Sequence, residues 1–140
     1  MYEEYSRQAL PSRRYRELLG SAVCAFNSNN QFIIESILRI DDSNYNWYEL
    51  IDKTSGRLLE PIKETITQNS DTEIASLFSE LVSKRNRIIH SFQITDENNE
   101  QMLSTKDNNN VQYKITEEYL LEFIKNNEGL SDMLHKLRGF

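Results

Sequence analysis

Between Arg13 and Leu38 the chain keeps one helical rhythm for about seven turns, with no proline to interrupt it. Leu19, Val23, Phe26, Ile33, Ile37 and Ile40 recur at helical spacing behind Pro11-Ser12, a helix start signal. This predicts one long helix with a single apolar stripe. Its middle holds Asn27, Ser28, Asn29 and Asn30, all weak helix formers, and Asn30 falls on the stripe of Phe26 and Ile33. Such a cluster predicts a local kink; the other reading is a polar group aimed into a cleft.

The same rhythm returns three times. Thr54-Ser55 caps a second helix running to about Gln68, with Leu58, Leu59, Ile62 and Ile66 inward and some kinking at Pro61. Asn69 to Thr72 supplies a turn and a new cap. A third helix then runs from Glu73 to about Ser91, carrying Ile74, Leu77, Phe78, Leu81, Val82, Ile88 and Ile89 on one face. Thr116-Glu117 opens a last helix with Tyr119, Leu120, Phe123, Ile124, Leu130, Met133, Leu134 and Leu137. Between the first two helices, Asp41 to Lys53 reads as a connection whose Tyr45, Trp47 and Tyr48 plug one end of a bundle. Gln101 to Thr105 and Val111 to Ile115 alternate around Lys106 to Asn110, the pattern of a small hairpin. The expected fold is therefore an all-α, up-and-down bundle of four to five helices with a small β-hairpin insertion near 101–115.

A chain of 140 residues suits one domain with one core, here 1–140. The 38% hydrophobic content is low for a monomer, and a polar small domain often completes its core against a second copy. The net charge of −6 repels nucleic acid at long range, so any RNA contact has to be local. Arg13-Arg14 with Arg16 reads as a solvated helix face; Lys84-Arg85 with Arg87 is the other basic group. Cys24 sits in an apolar helical pattern and reads as a small buried thiol with no disulfide partner. The opening Met1-Tyr2-Glu3-Glu4-Tyr5 is acidic, unlike a signal peptide, and no apolar run approaches membrane-spanning length. A cytoplasmic protein without a membrane partner is the expectation.

One short stretch carries chemistry. In Arg85-Asn86-Arg87-Ile88-Ile89-His90 a permanent cation stands five positions before one of only 2 histidines, with an amide directly after the cation. A guanidinium holds a phosphate through two parallel hydrogen bonds, and an imidazole moves a proton near neutral pH. On a helical wheel Arg85 falls in the stripe of Ile74, Leu81, Ile88 and Phe92 and faces inward. Its charge cannot be discharged, so it needs an anionic or strongly polar partner: a carboxylate such as Glu35, an Asn carbonyl, or an RNA phosphate. His90 lies about 140° round the helix from Arg85. Either the helix distorts near His90-Ser91, or two copies of the chain face one cleft across a two-fold axis.

The pattern R-N-x3-H resembles the R-x4-6-H signature of the HEPN superfamily, small helical domains that include many RNases of toxin, anti-phage and CRISPR-associated systems. The resemblance covers the motif, the helix that holds it and the helical outline. It implies metal-independent RNA cleavage by a homodimer with a composite active site. Arg85 and His90 match the catalytic positions, and Asn86 matches the polar residue that often follows the Arg. Lys84 and Arg87 flank them as RNA-binding cations, and no metal or cofactor is implied. An antitoxin or regulatory protein is the partner such a context suggests. Some members carry a modifiable Tyr two positions after the His; here that position is Phe92, which argues against regulation of that kind.

The remaining chemistries lack their residues. One Cys and 2 His do not make a zinc set. The carboxylates Asp41, Asp42, Glu117 and Glu118 lie at helix ends, where capping explains them. The 4 glycines form no phosphate-cradling loop, and no Ser sits at a nucleophile elbow. Besides a ribonuclease, the sequence accommodates a non-catalytic helical module that binds a nucleotide, an RNA or a partner protein. Such a module uses the same surface; a purely structural reading makes Arg85 an ion-pair residue and His90 an exposed polar residue near a helix end. His135, beside Lys136 and Arg138, is a helix C-terminal residue favoured by the helix dipole.

Overall fold

The computed structural model describes residues 2–139; Met1, which begins the acidic opening segment, lies outside them. In chain order the elements are α1 (Arg13–Ile40), α2 (Trp47–Asp52), a composite helical stretch containing α3 (Leu59–Ile62), then α4 (Glu73–Ile89), β1 (Phe92–Thr95), β2 (Gln101–Lys106), β3 (Gln112–Ile115) and α5 (Glu117–Arg138).

Capping chemistry starts the long helices. The Ser12 hydroxyl accepts from the Tyr15 N–H at 3.1 Å, and the Thr116 hydroxyl accepts from the Tyr119 N–H at 3.1 Å. At α4 the cap expected from Thr72 falls to Asp71, whose carboxylate accepts from the Glu73 N–H at 2.9 Å. Gly139, at φ 93°, ends α5 in the left-handed conformation that favours glycine.

The kink expected at Asn27–Asn30 is not found, and α1 continues as one helix of 28 residues. The cluster has partners of its own. Asn29 is buried and its amide donates to the Asn127 carbonyl at 2.7 Å and to the Asn127 side-chain oxygen at 3.0 Å. Asn30 accepts from the Ser55 hydroxyl at 2.8 Å. Side chains bonded to neighbouring elements do not compete for their own helix backbone.

The all-α expectation is corrected. The described residues are 64% helical, but residues 92–115 form a three-stranded antiparallel sheet in the order β1-β2-β3. The hairpin near 101–115 is present as β2 and β3, with Leu103 opposite Ile115 and Thr105 opposite Tyr113. The added strand is β1, where Phe92 pairs with Ser104 and Ile94 with Met102. It is only 4 residues long and follows α4 almost directly, so its alternation blends into the end of the helical pattern.

Three local expectations also change. The regular helix expected from Thr54 to Gln68 is a 3-10 turn (Ser55–Leu58), the turn α3 and a wider π turn (Lys63–Thr67). Pro61 lacks an N–H, and the chain winds wider soon after it, where the Thr65 hydroxyl donates to the Pro61 carbonyl at 2.7 Å. Trp47 and Tyr48 do not plug the bundle: Tyr48 is 77% exposed, and in this helix of 6 residues only Leu50 is buried. Cys24 lies exposed on the outer face of α1 rather than buried.

The core joins α1, α4 and α5 through one aromatic stack. Phe26 lies between Phe78 and Phe123, with ring centres 5.9 and 6.2 Å away. Offset stacking of this kind adds about 0.5–1.5 kcal/mol per pair to the burial of the rings. The sheet is fastened to α1 by Tyr15, whose buried hydroxyl donates to the Ile115 carbonyl at 2.5 Å and accepts from the Leu103 N–H at 3.1 Å. That fastening holds β2 and β3 beside the C-terminal half of α4, where the motif lies.

Candidate functional site

The motif residues leave α4 in three directions. Arg85 points toward α1, where its guanidinium carbon lies 5.1 Å from the centre of the Phe26 ring. It makes no hydrogen bond or ion pair among the described residues, and its Nε is buried without an acceptor. Burial pulls its pKa down from the ordinary arginine value, with no neighbouring charge contributing. The inward orientation expected for Arg85 is present, but the partner it meets is an aromatic face, not Glu35, which remains exposed. A ring quadrupole attracts a cation by about 0.5–2 kcal/mol but supplies no acceptor for the N–H groups.

His90 is the C-cap of α4, with φ −96° and ψ 28°, and its N–H donates to the Asn86 carbonyl at 2.9 Å. The helical geometry therefore ends at the histidine, where the chain turns toward β1. The imidazole is exposed and makes no hydrogen bond among the described residues. Exposed apolar side chains flank it, Ile89 at 50% and Phe92 at 43%. Ile89 was expected on the inward face; the buried side chain at this end of the stripe is Ile88. No hydrogen bond joins Arg85 to His90 within the described residues.

Asn86 takes the third direction, about 100° round from Arg85. Together with Ser83, Lys84 and Arg87 it lines a groove of about 460 Å³. The opposite walls come from Asp107 and Asn108 in the β2–β3 turn, Tyr113 on β3 and Tyr119 on α5. Arg87 ties the wall together by donating to the Lys106 carbonyl at 2.6 Å. Lys84 lies 3.5 Å from Glu80 and 3.9 Å from Glu122, two exposed carboxylates. The Tyr119 hydroxyl donates to the Lys84 carbonyl across a long 3.4 Å, and burial pushes its pKa well above the ordinary tyrosine value.

The sequence thus pointed to Lys84, Asn86 and Arg87, and the structure brings these three together but sets Arg85 and His90 apart from them. The other half of the groove was not read from the sequence. By spacing alone Tyr119 reads as one more apolar residue of its helix, and Asp107 and Asn108 as part of a hairpin turn. The available signal was the i, i+3 and i+4 spacing of Ser83, Asn86 and Arg87, which gives α4 a polar face of its own.

No three or more His, Cys, Asp or Glu side chains among the described residues are grouped to hold a metal ion. Nor is any helix among them long and apolar enough to cross a membrane. No family model, curated protein or solved structure matches the chain. The chemistry of the site has to stand on its own residues.

Proposed function

We propose that this chain is a metal-independent endoribonuclease of the HEPN type, acting in the cytoplasm as a homodimer, in a toxin–antitoxin or anti-phage setting with an antitoxin or regulatory protein. The observation that supports it is Arg85: a half-buried guanidinium that meets no acidic partner among the described residues, on the helix that ends in a histidine with no hydrogen bond among them. A cation left in that state costs stability unless something outside the fold meets it. A phosphodiester has the charge and the geometry.

In this reading His90 of one copy takes the proton of a ribose 2′-hydroxyl, and the 2′-oxygen attacks the adjacent phosphorus. The bond to the 5′-oxygen breaks, and His90 of the second copy protonates the departing oxygen. The products are a 2′,3′-cyclic phosphate and a free 5′-hydroxyl. Arg85 holds the non-bridging oxygens as charge grows on them, worth about 3–4 kcal/mol for a well-placed donor. Two copies are needed because Arg85 and His90 leave one helix in different directions. Asn86, which lines the groove away from Arg85, holds the RNA chain beside the reacting phosphate.

The test is cleavage of single-stranded RNA by the purified chain in excess EDTA. RNA cut to cyclic-phosphate ends, with DNA of the same sequence untouched, is the expected result. Dependence on a divalent metal, or equal cutting of DNA, would overturn the mechanism. A second reading, a non-catalytic module that binds RNA, nucleotide or a partner protein, draws support from the separation of Asn86 from Arg85. It predicts a stable complex with RNA or a protein and no cleavage.

A further inference from the structure

We infer that the groove between α4, α5 and the β2–β3 turn seats one nucleotide of single-stranded RNA, its phosphate on Lys84 and Arg87 and its base against Tyr113 and Asn108. The choice of RNA as ligand rests on the ribonuclease reading; the placement within the groove rests on the features that follow.

The first is size. A groove of about 460 Å³ lies in the range of small-ligand sites and has room for a single nucleotide. The second is the distribution of charge across it. The cations come from α4, while the opposite wall carries the Asp107 carboxylate. One Asp107 oxygen is used in the turn, accepting from the Asn109 and Val111 N–H groups at 2.8 and 3.0 Å. The other makes no hydrogen bond among the described residues. A phosphate avoids that oxygen and an N–H group of a base takes it, which orients the nucleotide with its phosphate toward α4.

The third is that the α4 cations retain their charge for a ligand. The carboxylates near Lys84 are exposed, and such pairs contribute little and yield to competitors. Arg87 uses one N–H on a neutral carbonyl, leaving further donors on its guanidinium. The fourth is a prepared aromatic face. Tyr113 is half-buried, backed by Tyr119 with ring centres 6.2 Å apart, so its ring does not have to be ordered on binding. Asn108, exposed at the turn, adds an amide that both donates and accepts. With a net charge of −6 on the whole chain, RNA affinity requires a local site of this kind.

The test is fluorescence anisotropy of a labelled single-stranded oligoribonucleotide, made in a His90→Ala background so that the RNA stays intact. Ser83→Glu and Asn108→Asp alter exposed side chains on opposite walls that make no hydrogen bond among the described residues. Each is expected to weaken binding by about tenfold, whereas Ser76→Glu, elsewhere on α4, changes it little. Tyr113→Leu is expected to weaken binding while leaving its salt dependence unchanged, as loss of stacking requires. If the parent binds no RNA, or Ser83→Glu and Asn108→Asp bind as tightly as the parent, the inference is overturned. Parallel assays of cleavage separate the two claims. RNA bound in the groove but never cut by the His90 protein removes the nuclease and leaves the groove. RNA cut by Ser83→Glu with an unchanged KM removes the groove and leaves the nuclease.

Discussion

The Arg85 guanidinium lies 5.1 Å from the centre of the Phe26 ring, and Phe26 is the middle ring of the stack that joins α1, α4 and α5. A charge thus rests against the core, its Nε without an acceptor among the described residues. The desolvation of that N–H opposes folding, and the attraction of the ring returns only about 0.5–2 kcal/mol. Arg85→Met keeps the length of the side chain and removes the charge. It is expected to leave the melting temperature unchanged or raise it by a few degrees, about 4–8 °C per kcal/mol in the smallest domains and less for larger ones, while abolishing RNA cleavage. A destabilisation above about 2 kcal/mol in denaturant melts would show instead that Arg85 is a structural residue.

His90 sits where the backbone leaves α4, and its ring bonds to nothing among the described residues. The alanine variant keeps the N–H that donates to Asn86, so His90→Ala is expected to unfold within about 0.5 kcal/mol of the parent. Cleavage should fall by roughly 10²–10⁴, the usual weight of a general acid or base. A wild-type rate from His90→Ala would take the imidazole out of the mechanism.

How far the sequence revealed these features follows from the length scale of each signal. α1, α4 and α5 carry apolar stripes over many turns, and residues such as Phe26, Phe78, Leu81, Phe123 and Leu130 are buried as their spacing demands. Where a signal spans four to six residues, the neighbours decide. β1 needed β2 beside it to become a strand, and Trp47 and Tyr48 lie outside because α2 turns only Leu50 inward. At the site, periodicity placed Arg85 inward and His90 about 140° round the helix from it. It could not say that a ring would meet the guanidinium, because Phe26 lies on α1, 59 positions away in the chain. The groove was hidden for the same reason, its walls coming from α4, the β2–β3 turn and α5.

Tyr15 links α1 to both β2 and β3 through one hydroxyl, 88 and 100 positions along the chain. Tyr15→Phe keeps the ring and leaves the Leu103 N–H and Ile115 carbonyl without this partner. The expected cost is about 1–3 kcal/mol of unfolding free energy by urea titration, the usual penalty for stranding a buried polar group. Because the sheet carries Tyr113 and the β2–β3 turn, hydrogen exchange should quicken in residues 101–115 before the helices loosen. Uniform exchange across the chain would deny the hydroxyl this fastening role.

Burial raises the pKa of Tyr119 and of Tyr15, so the unfolded chain ionises before the folded one as pH climbs. The sign follows from linkage. The contribution of these groups to stability is fully present below the ordinary tyrosine value of about 10 and declines above it, until the folded phenols ionise too. Urea midpoints measured from pH 8 to pH 11 should therefore fall at the alkaline end, and Tyr119→Phe should flatten the decline. A Tyr119→Phe protein with the same alkaline slope as the parent would show that this phenol ionises freely in the folded state.

Asn29 and Asn127 meet in the interior between α1 and α5, where Asn127 also donates to the Phe123 carbonyl at 2.9 Å. Each amide satisfies part of the other, so removing one leaves its partner buried and short of a bond. Asn29→Leu alone is expected to destabilise by about 1–3 kcal/mol, through the stranded Asn127 groups. Asn29→Leu with Asn127→Leu removes both sets of polar atoms and should recover much of that loss, giving a coupling energy of about 0.5–3 kcal/mol in a double-mutant cycle. The pair also ties α1 to α5 at one register, since sliding either helix parts the two amides. The double variant should therefore be stable yet less well ordered, with broader side-chain NMR lines than the parent. Additive single effects and unchanged line widths would mean that packing of the Phe26, Phe78 and Phe123 rings is enough to hold the two helices in place.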